Sequence, residues 1–419
     1  MIVSSKLTCA QRVYLDFVRA AAAMCVMFGH ASSYFLTGSF LARSQISIVG
    51  VLIFFLISGF LISLSVFQKH ADQRYGFSEY FIDRFCRIYC AYLPALVFVA
   101  IVDSAIAGSP LYSGPNPIND GNHYNAHTWI GNLLMLQGFP LFQALKRFGF
   151  HTDLWNIGPF GSADTFWTIS IEWWIYMFFG MAIFFYFRKR ESFKAWQWLI
   201  FGFVAIEPAY HFVGGPDLCL TMLWGIGMAV SLLFLRLPLL AAEWLTTPGR
   251  FRNLCLLTCV ASILAAIAHL YANIFHLHQV NIADLQFGVF LATAIFSLFF
   301  ALGTVRHVPK AIENVLGFLA NYSYSLYLTH LTIFWYAFIR FPGHEHDPRL
   351  FWLAIAAANA VAMAFWWLFE RHHRFIAAKL KAALQPAARQ ADAPANPGLP
   401  LWSPDTALPS SARLRASRE

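Results

Sequence analysis

The stretch YLDFVRAAAAMCVMFGHASSYF, residues 14–35, decides the fold class. It is long enough to cross a hydrocarbon core of ~30 Å, which takes roughly twenty helical residues. Yet it carries three ionisable side chains, Asp16, Arg19 and His30. Such groups are costly inside a span and point to function by default. Arg19 and His30 are eleven residues apart, three turns at about 3.67 residues each, so they share one face. Helix rise separates them by about 16 Å along the axis. The plainer alternative is that Arg19 snorkels to the interface while His30 hydrogen-bonds a neighbouring helix.

The rest of the chain agrees with a membrane setting. Of 419 residues, 58% are hydrophobic and 12% charged, about half the usual share of charge. Mean hydropathy is +0.55. Forty-three Phe, sixteen Tyr and fourteen Trp suit lipid-facing surfaces and interfacial belts. The opening residues MIVSSKLTCAQRVYLD have no small-residue cleavage site after the first apolar run, so that run is expected to be retained as a helix. Apolar runs fall at about 13–37, 46–68, 88–107, 166–188, 194–213, 217–236, 253–273, 284–304, 317–340 and 349–370. Their continuous apolarity, without strict alternation, favours helices over barrel strands. The expected fold is therefore an all-α integral membrane protein of about ten transmembrane helices.

Charge sets its orientation. With a cytoplasmic N-terminus, only Arg43, Lys146, Arg147, Arg340 and Arg349 of the 29 basic residues lie outside, and Arg19 lies within a span. This asymmetry predicts both termini inside, in the plasma (inner) membrane. The net charge of +8 is spread between apolar spans, which favours lipid headgroups over nucleic acid as the partner. Residues 1–12 then form a cytoplasmic N-terminal segment and residues 13–374 a transmembrane domain. Within that domain lies a long outer loop at 108–165, with a short interfacial helix expected near His127–Phe139. Residues 375–419 form a cytoplasmic tail whose Pro/Ala-rich part, from about 385, is expected to be disordered. No internal repeat is evident, which weakens a transporter of inverted halves.

Further polar residues mark the later spans. Arg84 and Arg87 in EYFIDRFCRIYCAYLPAL are i,i+3 on one face. They are either topology anchors or a guanidinium pair for a phosphate ligand. In DTFWTISIEWWIYMFF, Glu172 sits about six residues, or ~9 Å, below the outer surface. That is close to the depth of His30, so the two could share a cavity in which a carboxylate orients a histidine base; a structural buried Glu is the alternative. NYSYSLYLTHLTIF contributes Ser323, Tyr324, Tyr327 and His330, read either as polar glue between helices or as substrate contacts. The seven cysteines sit in or beside apolar segments, with no ligand cluster to suggest a metal and no disulfide expected. His123 with His127, and His276 with His278, lack an HExxH context.

In order along the chain, these pieces resemble the acyltransferase-3 family of integral membrane O-acyltransferases. LDFVRAAAAMCVMFGHAS is similar to its opening basic-x10-His motif, GVLIFFLISGFLIS to its second-span signature, and RFCRIY to its Arg-x-x-Arg. FWTISIEWWIYMF matches the Trp…Ser-x-Glu segment through Trp167, Ser170 and Glu172, while YSYSLYLTH and FERHHRF, with Glu370, resemble the later motifs. Cys90 stands where the family often has proline. The hydrolase-like domain fused to some members does not follow in this sequence, which leaves transfer to this chain alone or to a separate periplasmic transferase partner.

The resemblance implies an acyl-CoA co-substrate from the cytoplasm and no bound cofactor. It also implies a hydroxyl acceptor on a surface or periplasmic glycan or similar molecule, with acetyl the commonest acyl group. It would make His30 and Glu172 catalytic, with Arg19, Arg84 and Arg87 binding the donor. Asp16, Trp167, Ser170, Tyr324 and His330 would then bind the acceptor or serve the structure. The rival class is a permease or lipid-linked glycan flippase without acyl transfer.

Overall fold

The first long helix starts where a capping box can form: Thr8 accepts from the Gln11 amide, and Gln11 reaches back to Thr8 N–H at 3.0 Å. Two of the amides that a helix start leaves unpaired are satisfied in this way. In the computed structural model, residues 6–69, 75–113, 123–149, 156–187, 194–212, 219–240, 248–276, 285–305, 307–343 and 346–384 are described. Among them every regular element is helical. The order is α1 (Cys9–Phe35), α2 (Phe40–Arg43), α3 (Ile46–Lys69), α4 (Phe77–Ser104), α5 (Pro110–Ser113), α6 (Ala126–Leu133), α7 (Pro140–Arg147) and α8 (Phe166–Met181). A π-helical turn, Ala182–Phe187, extends α8. Then come α9 (Ala195–Phe212), α10 (Leu220–Leu240), α11 (Pro248–His276), α12 (Leu285–Leu302), α13 (Lys310–Asn321), α14 (Ser323–Arg340), α15 (Pro348–Leu368) and α16 (His373–Leu384).

Eight helices among the described residues are long and apolar enough to cross a membrane. The other two expected spans are present as the 18-residue helices α9 and α14. The difference has a cause in composition. α14 buries Ser323, Ser325, Thr329, His330 and Thr332, so it faces protein rather than lipid and does not need a lipid-like surface.

The centre of the fold is α3, which packs against α1 on one side and α10 on the other. The α3–α10 crossing depends on two glycines. A Cβ on Gly59 would run into the Trp224 backbone, and one on Gly227 into the Leu56 carbonyl. Missing side chains let the two backbones approach closely, the usual device where apolar surface alone does not draw helices together. Beside that crossing Phe60 meets Phe299 at 5.0 Å and Phe296 at 5.4 Å between ring centroids, joining α3 to α12. Gln11 and Tyr14 of α1 also donate to the Phe299 and Ile295 carbonyls of α12, at 3.3 and 3.0 Å.

One segment differs from expectation. The sequence places a single interfacial helix near His127–Phe139; the structure instead has α6 and α7 joined by a buried turn. Asn132, Met135, Gln137 and Phe139 are all within 1% of complete burial. Tyr89 and Tyr92 of α4 donate to the Leu133 and Asn132 carbonyls, and Tyr92 lies about 18 Å from the C-terminal end of α4 by helix rise. Ser170 and Trp174 both donate to the Met135 carbonyl at 2.7 Å. The turn between α6 and α7 therefore folds back into the bundle, and its irregular backbone is tolerated there because side chains satisfy it.

At the other end, residues 373–384 form α16, which packs along α4 and buries Ala377. Lys381 pairs with Asp83, which also receives Tyr75 OH at 3.3 Å. The expected disordered tail from about 385 lies outside the described residues.

Gly227→Val should disrupt the α3–α10 crossing. Gly225→Val, where a Cβ would meet nothing within 4 Å, should not. Overpacking of this kind costs about 1–3 kcal/mol, so the melting temperature in detergent should fall by several degrees for the first variant only. Equal melting of the two variants would refute the close crossing.

Candidate active site

Two helices position the central residues. α1 runs alongside α13 and α14 and touches α13 at one level and α14 at the other. At the lower level Arg19 donates from Nη2 to the Ala320 carbonyl at 3.3 Å. At the upper level His30 Nδ1 lies 2.9 Å from His330 Nε2, with the two rings within 5° of parallel. Eleven residues, about 16 Å of helix rise, separate the contacts on α1; ten separate them on the other side, where the turn at Tyr322 ends α13 before α14 begins.

The upper contact fixes a proton arrangement. His330 Nδ1 lies 2.8 Å from the Leu326 carbonyl, and a carbonyl only accepts, so Nδ1 bears the proton. In the neutral ring Nε2 is then an acceptor and takes the His30 Nδ1 proton. That leaves the His30 Nε2 lone pair available for chemistry. His330 is fully buried, whereas His30 is half-buried. A carbonyl, a relay ring and a poised ring form one line.

Glu172 does not take this orienting place. Its hydrogen bond runs to Tyr176 one turn along α8, and it stands within electrostatic reach of Arg87 and Arg84. The matched depth predicted from the sequence did not produce a His30–Glu172 pair, because α14 rather than α8 lies against the His30 face of α1.

The lower level is a guanidinium cluster. Arg87 Nη1 meets Glu370 Oε1 at 2.7 Å, and Arg87 Cζ lies 5.4 Å from the Tyr324 ring centroid. The other Glu370 oxygen accepts from Ser325 N at 3.1 Å and Ser325 Oγ at 2.7 Å. One carboxylate thus ties α4, α14 and the end of α15 together. Arg19 and Arg87 feel one another's charge, and Asp16 lies 3.8 Å from Arg19. Arg84 differs from both, because its buried Nε has no protein partner. Tyr324 OH donates to the Ile88 carbonyl at 3.4 Å.

Between the levels Tyr327 bridges, with its hydroxyl bonded to Thr168 and its ring centroid 6.2 Å from that of His330. Ser170 is spent on the Met135 carbonyl and so holds the α6–α7 turn. Trp167 is half-buried at the start of α8.

The family model for an acyltransferase domain matches residues 12–371, nearly the whole chain. The chain belongs to the acyltransferase-3 family. No curated protein and no solved structure matches it. With its apolar helices it is a multi-pass membrane acyltransferase, transferring groups other than amino-acyl groups. The flippase alternative gives way to this membership.

The structure also brings into this region residues that the local pattern did not single out. Tyr176 gave no signal beyond its i,i+4 spacing from Glu172. Asp103 did carry one, an ionisable residue at the end of an apolar run. It is fully buried and accepts from Tyr112 OH at 2.7 Å, Ser162 N at 2.6 Å and Ser162 Oγ at 2.8 Å.

Glu370→Ala should cost far more than an exposed charge change. Removing one partner of a buried pair typically costs about 3–5 kcal/mol. Reduced folded yield and a lower melting temperature in detergent would show it, and wild-type melting would contradict the tie.

Proposed function

We propose that the protein is an O-acyltransferase that moves an acyl group, most simply acetyl, from cytoplasmic acyl-CoA to a hydroxyl of a surface or periplasmic glycan. The observation that carries this reading is the His330–His30 line, which leaves His30 Nε2 unprotonated about 16 Å by helix rise from Arg19, with Arg87 within electrostatic reach of Arg19. Both termini are cytoplasmic in this reading, supported by the distribution of basic residues.

Arg84, with Arg19 and Arg87 beside it, receives the CoA phosphates, for which guanidinium geometry is well suited. The pantetheine arm runs along the α1–α14 seam and brings the thioester to His30. His30 Nε2 takes the proton of the acceptor hydroxyl as its oxygen attacks the thioester carbonyl. The new C–O bond forms, the C–S bond breaks, and the proton passes to the departing thiolate, giving free CoA thiol. His330 holds the His30 tautomer throughout. Glu172 and Tyr176 line the passage on the α8 side, where the carboxylate balances the arginines.

A general base contributes about 10²–10⁴-fold. His30→Ala should therefore lose transfer by that order while remaining in the membrane. His330→Gln keeps an acceptor for the His30 Nδ1 proton and His330→Phe does not, so the Phe variant should be at least tenfold slower than the Gln variant. Mass spectrometry of surface glycans, with radiolabelled acetyl-CoA transfer, reads both. Wild-type acylation by His30→Ala would defeat the mechanism.

Arg84→Ala should raise KM for acyl-CoA with little change in melting temperature. An unchanged donor KM would remove Arg84 from the donor site.

A further inference from the structure

The segment just before α8 crosses the turn of α14 that holds His330. The Ser162 and Thr332 hydroxyls lie 3.0 Å apart, and Thr165 Oγ1 donates to the Tyr327 carbonyl at 3.4 Å. His330 falls between those two α14 residues. Ala163 is completely buried, whereas Asp164, the next residue, is exposed. Its carboxylate stands within electrostatic reach of Tyr34 and Tyr327. Tyr34 is one turn beyond His30 on the same face of α1. Tyr327 is one turn before His330. Asp164 is therefore placed at the outer rim, bracketed by the neighbours of both histidines, with the half-buried Trp167 three residues further on.

We propose that Asp164 recognises the acceptor: its carboxylate accepts hydrogen bonds from two hydroxyls of a glycan and thereby presents a neighbouring hydroxyl to His30 Nε2. An ionised carboxylate is acceptor-only with about four lone-pair directions, and bonds from hydroxyls to it are short and charge-assisted. A polyhydroxylated molecule meets those demands. The rim position also suits a substrate arriving from outside while the donor arrives from the arginine side. This inference rests on the proposed reading of His30 as the base.

The test uses purified full-length protein, radiolabelled acetyl-CoA as donor and, as acceptor probe, base-treated surface glycan from cells lacking the gene. Asp164→Asn should raise KM for the glycan at least tenfold, leaving KM for acetyl-CoA and the melting temperature unchanged. Asp164→Glu should recover most of the loss. An unchanged glycan KM in Asp164→Asn overturns the proposal, as does a parallel rise of both KM values or a fall in melting temperature, which would mark a structural role. His30→Ala separates the two ideas. An inactive His30→Ala with a wild-type-like Asp164→Asn sinks only the Asp164 assignment. A fully active His30→Ala, or a wild type that never acylates the glycan, sinks the underlying reading as well.

Discussion

The seam between α1 and the α13–α14 pair is the constraint on which the rest depends. It is pinned by Arg19 on the Ala320 carbonyl and by His30 on His330. In a bilayer there is little hydrophobic gain from placing one helix against another, so polar contacts and close packing decide which helices pair. The two contacts, one to α13 and one to α14, fix the position of α1 against both. A slip of one residue on α1 would take both contacts away together.

The other helices are arranged so that this seam can be polar without exposing its groups. At the arginine level Glu370 is shared among Arg87 and two donors of Ser325, which satisfies a carboxylate that is otherwise expensive to bury. At the histidine level Asp103 does the same for the segment before α8, and Ser162 links it to Thr332 on α14. The apolar mass of α3, α10 and α12 lies to one side, close-packed through Gly59, Gly227 and the phenylalanines. That asymmetry gives one face of α1 a polar neighbour and another an apolar one.

The region between α4 and α8 has a structural part that its length conceals. Met135 adopts a positive φ of 57°, uncommon outside glycine, and its carbonyl takes two side-chain hydrogen bonds from α8. Asn132 donates to the Gly158 carbonyl and receives Phe160 N–H. The turn thereby orders the residues that lead to Ala163 and Asp164. Packing within this loop sets the rim of the proposed acceptor entrance, although no residue of the turn itself needs to touch substrate.

Much of this was legible in the sequence. Apolar runs and basic-residue asymmetry reflect the local cost of placing each residue in lipid, so they gave the helical membrane class directly. Spacings of three, four and eleven residues reflect helix geometry, so they put Arg19 with His30 and Arg84 with Arg87 on common faces. The ordered motifs gave the family. What the tertiary structure alone decided is which faces meet. His30 pairs with His330, three hundred residues away, and not with Glu172 at its own expected depth; Ser170 serves the α6–α7 turn; Arg87 is tied to Glu370. The physical reason is that periodicity records how a helix is divided between lipid and protein, whereas the neighbour on the protein side is chosen by packing and hydrogen-bond satisfaction across the whole bundle.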